Sequence, residues 1–144
     1  MWPEAVERIA AFLRASGVEG RLEELLAGAG PPPGQKLRAD AFDEDGGAVV
    51  ALVPADRAVD TQKLAIAAGS PEVRPVPATA FPFEGARVFM DQSVLSSEAV
   101  WLEAGSPRHV LRLSPAQIAR VTKAETADLL REARTGEVDD VPRG

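Results

Sequence analysis

Three side chains in the second half of the sequence could supply a nucleophile, a base and an acid. Ser106 lies in a Gly-Ser-Pro turn, His109 follows three residues later, and Asp91 precedes both. A serine hydrolase needs a base beside its nucleophile and a carboxylate that orients the base. The sequence has no G-x-S-x-G elbow to expose a serine, and its one histidine is the only base of that kind. These residue types permit Ser/His/Asp chemistry without indicating it.

A second group of polar side chains lies on one strand-like segment. Lys36, Arg38 and Asp40 alternate with apolar residues, so a strand would place them on one face. Arg38 can bind a phosphate or carbonyl oxygen through its planar fork, or form a surface ion pair with Asp40. Both possibilities stay open at this point.

Other familiar sites are not indicated. Gly46-Gly47 precedes a strand instead of joining a strand to a helix, which is the wrong context for a phosphate-binding loop. The acidic run from Asp43 to Asp45 fits a solvated hairpin tip better than a metal site. The absence of cysteine and the single histidine argue against a structural zinc site. We therefore expect no metal and no cofactor.

The composition is that of an ordinary globular protein with an acidic surface. The 144 residues are 45% hydrophobic and 26% charged, with a formal net charge of −6, and this length favours one domain. The charge argues against binding duplex nucleic acid, DNA included, but a few local cations could still hold the end of an RNA. We expect no signal peptide and no membrane span, and hence a cytoplasmic protein.

The stretch Gly47–Ala65 is expected to organise the fold. Its nearly unbroken apolar run, Val49–Val53, predicts a central strand that is buried on both faces. Pro54 ends the strand because proline has no N–H group to donate. Asp60 then predicts the N-cap of a helix that ends at Gly69.

The flanking patterns predict the elements before and after this strand. We expect a helix over Pro3–Ser16 and a loop over Gly28–Gly34; between them Glu19–Leu26 fits either a strand or a helix, and its context favours a strand. A strand over Lys36–Phe42 is expected to fold back as a hairpin onto Ala48–Val53. After the central helix we expect an edge strand over Glu72–Val76, a loop over Pro77–Gly85 whose Phe81 and Phe83 fold back onto the core, and strands over Arg87–Met90, Glu98–Glu103 and Arg108–Leu113.

Caps and turns complete the prediction. Asp91 is expected to cap a single turn over Gln92–Leu95, and Gly105-Ser106-Pro107 to form a turn. Ser114-Pro115-Ala116-Gln117 is a capping box that begins a helix, and a further helix is expected over Ala124–Ala133. The result is an α+β (mixed α/β) single domain over residues 1–134 with a mixed, partly closed sheet of six or seven strands, followed by a frayed tail over residues 135–144.

Several segments together resemble a known family. Leu52-Val53-Pro54, Lys63-Leu64-Ala65, Asp91, Ala104-Gly105-Ser106 and Leu113-Ser114-Pro115 are similar, in order and spacing, to motifs of the YbaK/ProX family of aminoacyl-tRNA deacylases. The same domain is found inserted in bacterial prolyl-tRNA synthetases. The resemblance covers roughly residues 34 to 130.

The resemblance implies an editing function. Members of the family hydrolyse the ester of a mischarged aminoacyl-tRNA without a metal, in a cleft that takes the aminoacyl-adenosine end. It implies a freestanding protein that acts in trans on mischarged tRNA, with an aminoacyl-tRNA synthetase as a further expected partner. The alternative is a catalytically degenerate module of the same fold that binds tRNA or another adenosine-bearing ligand.

The sequence departs from the family pattern in three places, of which the first two bear on catalysis. Counting back from Pro54 without gaps puts Arg38 where the family usually carries lysine, and Lys36 could take that position only if the register slips by two. The family's glycine-rich loop shrinks here to residues 78 to 85, and a proline run replaces the usual threonine-led helix before the lysine strand.

The resemblance also suggests roles for individual residues. It implies that Arg38 orients the terminal phosphate or the ester, that Gly105, Ser106 and His109 shape the reacting pocket, and that Asp91 holds the α-amino group or orders the wall. Each has a plain alternative: a surface ion pair for Arg38, a turn for Ser106, a core position for His109 and a helix cap for Asp91. The remaining expected substrate-binding residues are Lys36, Asp40, Phe83 and Glu103.

Overall fold

The computed structural model describes residues 2–28, 30, 32–45, 47–77 and 81–132. Within them the helices are α1 (Glu4–Ser16), α2 (Thr61–Ala68) and α3 (Pro115–Thr122), with a 3₁₀ turn over Gln92–Ser96. The strands are β1 (Arg21–Glu24), β2 (Gln35–Glu44), β3 (Gly47–Pro54), β4 (Arg74–Val76), β5 (Ala86–Asp91), β6 (Val100–Ser106), β7 (His109–Leu113) and β8 (Glu125–Ala127).

The strands form one mixed sheet in the order β1-β7-β6-β2-β3-β5-β8, with β4 alongside β2. Strand β3 pairs antiparallel with β2 and parallel with β5, and it is buried from Val49 to Pro54. A strand covered on both faces needs a continuous apolar run, which is what its sequence carries. The predicted α+β class, the buried central strand and its hairpin with β2 are therefore confirmed.

Apolar side chains pack on both faces of this sheet. One core joins Ile9 and Leu13 of α1 and Ile118 of α3 to the sheet, together with Phe81 and Phe83. The second core lies on the opposite face of β3 and includes Val49, Val53 and Leu64 of α2. The two loop aromatics are thus buried against the core, as the sequence predicts.

The helix boundaries follow their caps. Gly17 and Gly69 take left-handed conformations at the ends of α1 and α2, and the Asp60 carboxylate accepts from the N–H groups of Gln62 and Lys63. Ser114 and Gln117 form the predicted capping box of α3. The caps predicted at Asp60, Gly69 and Ser114 are therefore confirmed, whereas α1 begins one residue later than predicted, with Pro3 as its N-cap.

The predicted helix over Ala124–Ala133 is wrong for its described part. Residues 125–127 form β8, which pairs parallel with β5, and a bridge joins Leu130 to Val59. Here, hydrogen bonds to residues distant in the sequence override the helical pattern of apolar residues. The Leu129 N–H donates to the buried Asp91 carboxylate, and Lys63 Nζ donates to the Leu130 carbonyl at 2.7 Å. Residues 133–144, with the expected tail, lie outside the described residues.

The turn between β6 and β7 lies later than the sequence predicts. Strand β6 continues to Ser106, and the chain reverses over Pro107 and Arg108. The pairing shifts between Glu103 and Ser106, because Ala104 and Gly105 are extra residues that form a bulge. Because of the bulge, β6 continues through the residues predicted to form the turn, and its last residue, Ser106, still pairs with His109.

Strand β2 has a gap along one edge. Along that edge it pairs with β6 only at Gln35 and Lys36, and with β4 only at residues 41–43. In the part of the chain that the structure describes, no strand pairs with the intervening residues 37–40 on this side. The two parallel strands β2 and β6 therefore separate after their short ladder, and this separation opens the site.

Candidate functional site

A cavity of about 610 Å³ lies where β2 and β6 separate. It is lined by both strands, by the start of α1, by the loop after β3 and by the aromatic loop before β5. The lining residues are Ala5, Lys36, Leu37, Arg38, Ala39, Ala55, Phe81, Phe83, Leu102, Glu103, Gly105, Ser106 and Pro107. A second cavity of about 420 Å³ shares Ala5, Phe81 and Gly105 with the first.

One wall of the larger cavity is apolar. Phe81 and Phe83 pack edge to face with ring centroids 5.7 Å apart, and both are almost fully buried. Leu37 and Leu102 extend this wall from the two strands. The predicted substrate-binding residue Phe83 therefore lies at the cavity, where it would meet an apolar group of a ligand.

Arg38 reaches the cavity but is largely used in holding the protein together. Its Nε and Nη2 donate to the two carboxylate oxygens of Asp40 at 2.9 and 3.0 Å. Its Nη1 donates to the carbonyl of Ala55 at 2.8 Å, and Nη2 also donates to that of Arg57 at 2.7 Å. Counted over the described residues, four of the five guanidinium N–H groups are thus engaged, and the fifth, on Nη1, has no partner there.

Lys36 lies on the same strand face and is less committed. Its Nζ is 5.4 Å from the centroid of the Trp101 ring, a cation–π distance. Trp101 is the residue that faces Lys36 in the parallel ladder. Among the described residues, no carboxylate lies within ion-pair distance of Lys36. The cavity thus carries a cation whose charge is available to a ligand.

Backbone groups of β2 add polarity at the gap. The carbonyl of Lys36 accepts from the Ala55 N–H on the β3 side, at 3.0 Å. Because backbone groups alternate along a strand, those of Ala39 point to the opposite edge, toward β6 and the cavity. Ala39 lines the cavity beyond the last residue that pairs with β6.

Gly105 fixes the bulge against α1. Its φ is +88°, and a Cβ there would lie 2.9 Å from both the N and the Cγ2 of Val6. Only glycine allows this left-handed backbone to approach the first turn of α1 so closely. The predicted site residue Gly105 is therefore needed for the backbone, and it sets the positions of Glu103 and Ser106 on either side.

Ser106 and His109 form a pair, but Asp91 does not join them. Ser106 Oγ lies 2.7 Å from His109 Nδ1 and accepts from the Arg108 N–H at 3.0 Å. His109 is buried, packs against Trp2 with ring centroids 5.4 Å apart, and has no partner for Nε2 among the described residues. The carboxylate that would orient the base of a triad is therefore missing there.

Asp91 lies away from the cavity and acts as a cap. Its carboxylate is 2% exposed and accepts from the N–H and hydroxyl of Ser93 and from the N–H of Leu129. The cap alternative raised by the sequence describes this residue, which does not line the cavity. Asp91 instead ties the 3₁₀ turn to the segment after β8.

The structure brings together six of the nine residues singled out in the sequence. They are Lys36, Arg38, Phe83, Glu103, Gly105 and Ser106. Asp40 and His109 support the cavity indirectly, through Arg38 and Ser106. Sequence reasoning missed Ala5 and Trp101, since neither the contact of α1 with the bulge nor the β2–β6 pairing leaves a local pattern.

The described residues include neither a cluster of metal-ligating side chains nor a helix that could span a membrane. No group of three or more His, Cys, Asp or Glu side chains there is placed to hold a metal ion. None of the helices described has the length and apolarity that a membrane crossing requires.

Comparison with known proteins places the fold. No protein-family model matches the chain, and no curated protein matches it. A solved structure of a candidate trans-editing enzyme for prolyl-tRNA synthetase superposes with a TM-score of 0.75 at 23% identity, covering 92% of this chain and all of the other. A scaffold from computational epitope grafting superposes at 0.79 with 22% identity, covering 91% and 100%. The chain therefore shares the α+β fold of these two structures.

Proposed function

We propose that this protein is a freestanding aminoacyl-tRNA editing hydrolase that cleaves the ester of a mischarged aminoacyl-tRNA in trans. The observation that carries the proposal is the cavity between β2 and β6, where an apolar wall lies beside the uncommitted Lys36. The fold shared with a candidate trans-editing enzyme gives further support. An aminoacyl-adenosine end offers the matching chemistry: an apolar or small side chain, a polar ester and a phosphate.

The described residues suggest how the ester would be held. Lys36 attracts the terminal phosphate or the ester oxygen, and the remaining Arg38 N–H and the Ala39 N–H are donors for the carbonyl. Donors placed at a developing oxyanion favour attack by water, and such groups can contribute a factor of about 10²–10³ each. Phe83 and Phe81 bound the amino-acid side chain, so discrimination rests on side-chain size.

The same arrangement defines the alternative, a non-catalytic module that binds tRNA or another adenosine-bearing ligand. The observation in its favour is that Arg38, at the expected lysine position, gives four of its N–H groups to the protein itself. A guanidinium group held by four hydrogen bonds can position a ligand, but it has little freedom to move as charge develops on the ester oxygen during hydrolysis.

Deacylation of defined substrates separates the two functions. The wild-type protein is incubated with a panel of mischarged tRNAs, beginning with Ala- and Cys-tRNA(Pro), beside Arg38→Ala and Lys36→Gln. Turnover that falls about 100-fold in Lys36→Gln supports the hydrolase. Absence of turnover on every substrate, with tRNA binding retained, supports the binding module instead.

A charge-matched variant controls this experiment. Arg120→Gln removes one positive charge from the exposed surface of α3, outside the cavity. Equal losses in Arg120→Gln and Lys36→Gln would attribute the effect to net charge and would contradict a role for Lys36. Because the net charge is −6, we also expect tRNA affinity to be weak and to fall with added salt, which would favour delivery by a synthetase.

A further inference from the structure

Glu103 is a carboxylate at the cavity that the proposed hydrolysis does not use. It follows Leu102 on β6 and lies at the start of the bulge. In the described part of the chain it takes part in no ion pair and no side-chain hydrogen bond. A ligand in the cavity would therefore meet an anion that the protein has left unpaired.

The cavity keeps this anion apart from its free cation. Glu103 is two residues beyond Trp101 on β6, so strand alternation puts it on the face that carries Lys36. Lys36 Nζ lies over the Trp101 ring and does not reach Glu103. One positive and one negative group are thus offered on the same face of the sheet.

The backbone of Glu103 is held by the strands and by the bulge. The pairing of Glu103 with Val110 holds one side of the bulge, and the pairing of Ser106 with His109 holds the other. Gly105 packs this bulge against the first turn of α1. The bulge therefore holds the backbone from which the exposed Glu103 side chain extends at the cavity.

We propose that Glu103 forms a subsite for a free α-ammonium group, and that the substrates of this protein are therefore esters of unblocked amino acids. The proposal rests on the proposed function. An aminoacyl-adenosine end carries an α-ammonium beside its ester and a phosphate further away, which matches Glu103 and Lys36. Substrates with a blocked α-amino group, such as N-acetyl-aminoacyl-tRNA and peptidyl-tRNA, lose this charge and are rejected.

Kinetics with paired substrates test the subsite. Ala-tRNA(Pro) and its N-acetyl derivative are compared with wild-type protein, Glu103→Gln and Glu98→Gln. Glu98 is an exposed carboxylate just before β6 that does not line the cavity, so its variant changes the net charge equally. The wild type and Glu98→Gln are expected to prefer the free amine by about 10- to 100-fold, chiefly in KM, and Glu103→Gln to lose that preference.

A binding measurement keeps the inference separate from the proposed function. The probes are 3′-alanylamino-3′-deoxyadenosine, whose amide linkage replaces the ester, and its N-acetyl form. Tighter binding of the free amine by the wild type but not by Glu103→Gln supports the subsite even if no ester is cleaved, an outcome that would overturn only the hydrolase. Equal binding of the free and acetylated probes to the wild type, failure of the free-amine probe to bind, or identical behaviour of the two glutamate variants overturns the subsite.

Discussion

Arg38 and Asp40 form a two-pronged ion pair along one face of β2. The guanidinium donates to both carboxylate oxygens of Asp40 while its other edge reaches the carbonyls after β3. The pair therefore ties the central hairpin to the loop that leads into α2. A residue expected for catalysis is, in this geometry, first a structural link.

Removal of the Arg38 side chain should destabilise the protein. Arg38→Ala leaves the carbonyls of Ala55 and Arg57 without their donor, and we expect a loss of about 1–2 kcal/mol in the free energy of unfolding. Urea unfolding followed by circular dichroism measures it. Arg74→Ala, which removes an exposed pair with Asp43, should change the value by less than about 0.5 kcal/mol. Equal midpoints for the two variants would contradict the structural role of Arg38.

Substitution of Asp91 should affect stability and spare the site. In the wild type, the two carboxylate oxygens of Asp91 accept from the N–H groups of Ser93 and Leu129. In Asp91→Asn the amide NH₂ group would face one of these N–H donors, so we expect a loss of about 2–3 kcal/mol in the free energy of unfolding. Denaturant unfolding gives the stability, and ligand binding at a temperature where the variant is folded gives the second readout. A weaker ligand affinity in the folded variant would point to a direct contact instead. The exposed Glu72→Gln serves as the comparison, because Glu72 takes part in no ion pair among the described residues.

Two glycines allow a matched test of the bulge. Gly105 and Gly85 both have positive φ, but a Cβ at Gly85 meets nothing within 4 Å, whereas one at Gly105 meets the backbone of α1. Gly85→Ala should cost about 1–2 kcal/mol from backbone conformation alone. Gly105→Ala should cost about 2–4 kcal/mol, because the close approach adds overpacking. Thermal or urea unfolding decides, and a smaller loss for Gly105→Ala than for Gly85→Ala would refute the close contact.

Stability should fall at high pH through Lys63. Hydrogen bonding to Asp128 raises the Lys63 pKa above its ordinary value of 10.5, against a smaller opposing effect of desolvation. A raised folded pKa means that the charged lysine stabilises the fold fully below pH 10.5 and that this contribution is lost as the pH rises through the folded pKa. The melting temperature of Lys63→Met should therefore lie below that of the wild type at pH 8 and approach it above pH 10.5. A constant difference across this range would exclude the linkage.

Local patterns in the sequence predict most of the fold. The caps at Asp60 and Ser114, the continuous apolar run of β3 and the acidic hairpin turn each act over a few residues, so each is readable in the chain. The segment after α3 is not, because its strand depends on β5 and on bonds to Asp91 and Lys63. Such contacts join residues tens of positions apart.

The sequence predicts several of the residues that line the cavity, but it does not predict which of their charges are paired. Lys36 and Arg38 follow from strand alternation, Glu103 is named only as an expected substrate-binding residue, and all three line the cavity. Which of them carries a free charge depends on partners elsewhere: Asp40 and two carbonyls hold Arg38, while Trp101 faces Lys36. The sequence contains those partners but not the pairing of β2 with β6 that brings them together.

The gap along β2 also bears on self-association. An open strand edge exposes backbone donors and acceptors that can pair with another chain and seed aggregation. Here β6 and β4 pair with this edge on either side, so among the strands that the structure describes only residues 37–40 are left open, a length of about 13 Å. Four unpaired residues leave room for a small ligand but are too few to pair stably with a strand of another chain. The gap therefore opens the cavity to a ligand without promoting aggregation through this edge.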